Sequence, residues 1–184
     1  RPGMTFVDLG ANIGYYSVLA SRLVGPEGRV FAFEPDTANL ELLLRNVREN
    51  GCRNVAVAPY AVSDRVGFAE LYQAESAPAV HSIARPPESS RGGRRVMTVS
   101  LDEYFPEGVC PDFVKMDVEG AEFMALSGMT RLLSDRRLKV VVFESLAIFL
   151  EPQGRTSEDL DGILRRHGFG ISQLDKSNRL AVRP

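Results

Sequence analysis

Residues 6–17 read FVDLGANIGYYS: a short apolar strand carrying an acid, then two glycines four apart, then the start of a helix. No other stretch restricts the fold as tightly. Thr5–Leu9 is mostly apolar and bounded by Gly3 and Gly10, the pattern of a buried strand. Asp8, Gly10, Asn12 and Gly14 form D-x-G-x-x-x-G. Gly10 permits a sharp turn and removes a Cβ that would block a ligand. Gly14 lets the next helix pack close to the strand. Such a turn is expected to offer backbone amides and a helix N-terminus to a nucleotide-like molecule.

The variant of the turn narrows the choice of nucleotide. A dinucleotide site uses G-x-G-x-x-G, with the helix N-terminus aimed at a pyrophosphate. That spacing is missing here, and Asp8 stands in the strand ahead of the first glycine. A carboxylate there repels a pyrophosphate and favours a cation. S-adenosylmethionine carries an ammonium and a sulfonium, so an acidic strand end suits it. A second strand, Val30–Phe33, runs into Glu34 and Pro35. An acid at that tip can accept both ribose hydroxyls of a nucleoside. NAD sites share this acid, so Asp8 and the glycine spacing carry the discrimination.

Strand and helix patterns alternate along the chain. A helix is expected to about Val24, with Tyr15, Val18, Leu19 and Leu23 on one face, stopped by Gly25 and Pro26. Asp36 is placed to cap a second helix bearing Leu40, Leu43, Leu44 and Val47, ended by Asn50–Gly51. Further strands are expected at 54–59, 66–72, 96–101, 113–116 and 139–144, with helices at 121–127, 130–138 and 156–167. Residues 73–95, rich in Ala, Pro, Ser, Gly and Arg, predict a mobile loop. Residues 170–174 and 179–182 flank DKSN and read as a hairpin. The expected architecture is α/β: one Rossmann-like domain over 1–184, a mostly parallel twisted sheet with helices on both faces and a C-terminal antiparallel hairpin. The opening so close to the first strand raises the expectation of a domain truncated at its N-terminus.

Composition excludes several classes. A formal net charge of −2 leaves no electrostatic footprint for nucleic acid. The two cysteines, Cys52 and Cys110, suggest neither zinc nor a disulfide framework. No apolar run approaches the ~18 residues of a membrane span, and no signal peptide opens the chain. A cytoplasmic protein with no membrane partner is the expectation.

The segments FVDLGANIGYYS, FAFEP (31–35), YAVSD (60–64), VSLDEYF (99–105), DFVKMDVEGAE (112–122) and VVFES (141–145) resemble, in order, the FkbM family of S-adenosylmethionine-dependent methyltransferases. They cover nearly the whole chain. The resemblance implies a Rossmann-like methyltransferase fold, S-adenosylmethionine as cofactor, and a hydroxyl on a sugar or other small molecule as acceptor.

In open α/β sheets, ligands bind beyond the carboxyl ends of the strands. Those ends carry Asp8 and Gly10, Glu34, Tyr60–Asp64, Asp117 with Glu119, and Glu144. The cofactor is expected on Asp8, Gly10, Asn12, Gly14, Glu34, Pro35, Ala61 and Val62. Asp8 and the 10–14 turn would approach its amino-acid portion. Glu34 would take the ribose, and Ala61 and Val62 would flank the adenine. Asp117 faces the reacting edge, as general base or acceptor-orienting group. Lys115 is expected on the opposite face. With Glu119 and Glu144, Asp117 could hold a hard cation, although no spacing marks a dedicated cation loop, and no metal site is assigned. Glu122 suits a helix start. His81, in the expected loop, is the second candidate for chemistry; His167 reads as a structural helix-end residue. An NAD-type oxidoreductase, an RNA methyltransferase and a non-catalytic cofactor-binding module are the competing readings.

Overall fold

The computed structural model describes residues 1–74, 77–84 and 90–184. Among the described residues eleven strands form two sheets. The larger takes β1 (Thr5–Leu9), β2 (Arg29–Phe33), β3 (Val55–Ala58), β8 (Phe113–Met116), β9 (Val140–Glu144), β10 (Gly170–Gln173) and β11 (Asn178–Val182). Their spatial order is β10-β11-β9-β8-β1-β2-β3. The pairs β3-β2, β2-β1, β1-β8 and β8-β9 are parallel, whereas β11 is antiparallel to both β9 and β10. The hairpin therefore ends an otherwise parallel sheet, as expected.

Helices α1 (Tyr15–Val24) and α2 (Thr37–Glu49) pack on one face. Helices α4 (Glu122–Ser127), α5 (Thr130–Ser134) and α7 (Ser157–Arg166) pack on the other, with the short α3 (Leu101–Tyr104) and α6 (Ala147–Leu150). The strands divide their side chains accordingly. Val7, Leu9, Val114, Met116, Val141 and Phe143 join Leu132, Leu133, Leu160 and Leu164 in the main core. Phe6, Val30 and Ala32 turn toward α1 and α2. Asp36 caps α2 by accepting from the N–H groups of Ala38 and Asn39 at 2.9 and 3.0 Å. Among the described residues no helix is long and apolar enough to cross a membrane.

Helix α1 departs from its apolar pattern. Its buried residues are Ser17, Ala20, Ser21 and Val24, while Tyr15, Leu19 and Leu23 are exposed. Small side chains let the helix sit close against β1 and β2, and Ser17 gains a buried partner in Asp8. Leu19 and Leu23, with Tyr16, form one wall of a groove, about 410 Å³ in volume, floored by Phe6, Phe113 and Val142.

The larger departure lies at 73–95. Its described residues build most of a second sheet, in the order β4-β7-β5-β6, from β4 (Ala61–Val62), β5 (Gly67–Ala74), β6 (Ala77–Ser82) and β7 (Ser90–Val99). Residues 75–76 and 85–89 of the expected loop lie outside the described residues. Composition misled because the ladder between β5 and β7 is backbone pairing, which needs no apolar side chains. The alternation it does need is confined to a few residues: Leu71 and Val96 are buried with Ala61.

Candidate active site

A cavity of about 350 Å³ opens at the carboxyl ends of β1, β2 and β8, roofed by the second sheet. Gly10, Asn12, Glu34, Pro35, Ala61, Val62, His81, Lys115, Asp117 and Glu119 all line it. Asp8 and Gly14 do not. The structure thus gathers most of the expected residues around one cavity and displaces two.

Asp8 is fully buried below the turn, where Ser17 Oγ donates to its Oδ2 at 2.6 Å. Its Oδ1 has no well-aligned hydrogen bond, but Lys115 Nζ lies 3.3 Å away and compensates the charge. The cation that an acidic strand end attracts is therefore an internal lysine. Lys115 faces the same side as Asp117 because residues two apart in a strand share a face; its expected orientation is corrected. Burial works against the Lys115 charge, but Asp8 and Asp117 outweigh it and raise its pKa.

The turn itself is closed. Gly10 and Ala11 N–H donate to Phe33 O, Asn12 N–H to Glu34 Oε2, Ile13 N–H to Asn12 Oδ1, and Gly14 N–H to Ala11 O. The expected free amides are already used within the protein. Nor does Gly10 clear space for a ligand: a Cβ there would overlap the backbone oxygen of Asp117. At Gly14 it would strike Leu43 of α2. Both glycines bring elements together, and the left-handed turn passes through Asn12 at φ 51°.

Glu34 sits 4% exposed, its second oxygen accepting from Asp36 N–H at 2.9 Å. Burial is the main cause of its raised pKa, offset by those two backbone donors. Beside it stands His81, in β6 rather than in a loop. Its Nε2 lies 3.6 Å from Asp36 Oδ2, an oxygen also bound by Arg94. Among the described residues the buried His81 Nδ1 has no hydrogen-bond partner. This puts His81 on the Glu34 side of the cavity, next to the α2 cap.

The acidic edge is denser than motif spacing suggested. Asp117, Glu119 and Glu144 each bring one carboxylate oxygen within 4.8 Å of the others. Burial and then the Asp117 charge push Glu119 up to about 7 and Glu144 up to about 8. Burial pushes Glu122 to about 7; it is 2% exposed and accepts from Val118 N–H, closing the turn into α4. Glu119 holds a left-handed backbone at φ 52°, and its carbonyl accepts from Ser82 Oγ of the second sheet. A left-handed non-glycine residue is a cost retained where surrounding structure fixes it. Asp117, Glu119 and Glu144 come together as the strand-end reading expects; the role of Lys115 has no motif, and its i, i+2 spacing from Asp117 is the available signal.

These residues fit S-adenosylmethionine better than a dinucleotide. The walls carry carboxylates suited to an ammonium and sulfonium, one of them buried at a strand tip with an unpartnered imidazole nitrogen beside it. None of the amides of residues 10–14 is left for a pyrophosphate.

The Methyltransferase FkbM domain family matches residues 8–171. The hexuronic acid methyltransferase AglP of Haloferax volcanii is 30% identical over 137 residues, covering 73% of this chain and 53% of the relative. The methyltransferase sdnD of Sordaria araneosa is 27% identical, covering 91% of this chain and 74% of its own. In fold, the chain is similar to a crystal structure of a methyltransferase FkbM from Methylobacillus flagellatus KT. That match has a TM-score of 0.65 and 22% identity, over 97% of this chain and 43% of the other. The chain thus spans about half the length of the Haloferax relative and less of the Methylobacillus one.

Proposed function

This chain belongs to the FkbM family of S-adenosylmethionine-dependent methyltransferases, and from that premise we propose that it methylates a hydroxyl of a sugar-type small molecule. The observation that carries the cofactor side is the closed turn: residues 10–14 keep their amides, while the cavity presents Glu34, Asp117 and Glu119. The acceptor side rests on the hexuronic acid relative and on the acidic edge, which suits hydrogen-bond donors.

When bound, S-adenosylmethionine supplies a methyl group already activated on a sulfonium. The protein's part is mainly placement. Glu34 would accept the ribose hydroxyls, and Ala61 and Val62 would give the adenine an apolar wall. His81 would offer its open nitrogen on the same side, which moves it from the chemistry to the nucleoside. Asp117, partly exposed at the rim, would accept a hydrogen bond from the acceptor hydroxyl. The hydroxyl proton would pass to the Asp117–Glu119–Glu144 edge. Groups raised to about 7 and about 8 titrate near the operating range of a general base.

Two measurements test this. Calorimetry should give micromolar binding of S-adenosylhomocysteine, on the order of −8 kcal/mol, and far weaker binding of NAD. Methyl-labelled donor offered with free hexuronic acids, neutral hexoses and RNA should label a sugar hydroxyl. Preference for NAD, or label on RNA alone, would overturn the assignment.

A further inference from the structure

We propose that Lys115 is a positioning residue that ties the cofactor turn to the acceptor-side acid through one ammonium group. Its Nζ donates to Gly10 O at 3.4 Å in the turn after β1. It also lies 3.3 Å from Asp117 Oδ2 at the tip of β8 and 3.3 Å from Asp8 Oδ1 beneath the turn. An ammonium has three N–H donors and no acceptor, and here three oxygens surround it. The side chain is 13% exposed, and the Tyr16 ring lies 5.0 Å from Nζ on the α1 side.

This goes beyond compensating a buried acid. Asp8 needs a counter-ion, and any cation nearby would serve. Contact with Gly10 O and Asp117 gives the same group a second task. Gly10 belongs to the wall assigned to the donor, and Asp117 to the wall assigned to the acceptor. In-line transfer depends on the separation of those two walls, and misplacement on the ångström scale costs orders of magnitude in rate. The geometry also accounts for a lysine rather than a neutral donor: only a cation can hold two carboxylates and a carbonyl together. The inference rests on the methyltransferase reading above.

Lys115→Met alone would strand the Asp8 charge and risks unfolding. The informative protein is therefore Lys115→Met combined with Asp8→Asn, which removes both buried charges. It should melt near the wild-type temperature. Calorimetry should still show S-adenosylhomocysteine binding about tenfold weaker, the scale of losing a charge-assisted bond in the turn. The groups facing the ammonium are Asp8, Asp117, Glu119, Glu144 and, through α1, Tyr16. A counter-ion role alone predicts that affinity returns with stability. A stable double variant with wild-type affinity overturns the proposal. Wild-type protein that fails to bind S-adenosylhomocysteine would instead overturn the methyltransferase reading, so the two failures are separable.

Discussion

A Cβ added to Gly10 would overlap the backbone carbonyl oxygen of Asp117. The turn after β1 and the turn after β8 therefore touch backbone to backbone, and Asp117 N–H donates to Leu9 O at 3.0 Å across the same seam. Gly10→Ala should destabilise by on the order of 3 kcal/mol, from the clash and the left-handed backbone at φ 70°. Differential scanning calorimetry reads this directly. A melting temperature equal to wild type would mean that the two turns separate freely.

Glu34→Ala should weaken S-adenosylhomocysteine at least tenfold, since each charge-assisted bond to ribose is worth roughly 1.5–3 kcal/mol. The same change strips acceptors from Asn12 and Asp36 N–H, so the melting temperature should fall as well. Glu34→Gln keeps one acceptor oxygen and should give an intermediate loss on both counts. If affinity holds while stability drops, Glu34 only braces the turn.

Asp117→Asn should lower turnover while leaving cofactor affinity nearly unchanged, because the proposed partner of Asp117 is the acceptor. A chelator separates the remaining roles. Activity lost to chelator and restored by magnesium would assign the Asp117–Glu119–Glu144 edge to a cation. Turnover indifferent to chelator and rising with pH would assign it to proton transfer. Wild-type turnover by Asp117→Asn removes this residue from the mechanism.

Folding stability should decline as pH rises from mildly acidic to alkaline. Glu122 and Glu144 have folded pKa values of about 7 and about 8, above the ordinary 4.5 of an unfolded glutamate. The folded state therefore holds protons that the unfolded chain has released. Their contribution is complete below the unfolded value and is lost as pH climbs through the folded ones. Glu144→Gln mimics the protonated form. Thermal melts should show it close to wild type below the ordinary 4.5 of a glutamate and increasingly more stable as pH rises to about 8. Equal pH dependence in the two proteins would contradict the buried-carboxyl account.

Read alone, the chain specifies the alternation of strands and helices, the cap at Asp36, the C-terminal hairpin and the rim of strand ends. Each follows from local chemistry: glycine at a turn, an acid at a helix start, apolar periodicity along an element. It also brought Gly10, Asn12, Glu34, Pro35, Ala61, Val62 and Asp117 forward together, since all lie at or just after the ends of strands that parallel pairing must align. Tertiary structure alone decided the partners. Residues 8 and 115 are far apart in the chain, yet β1 and β8 pair Asp8 with Lys115 in register, so a cation-seeking acid meets a lysine. Only the pairing of β5, β6 and β7 turned a stretch with loop-like composition into a sheet and brought His81 beside Asp36. Composition records what side chains prefer; backbone pairing and charge compensation depend on what lies opposite.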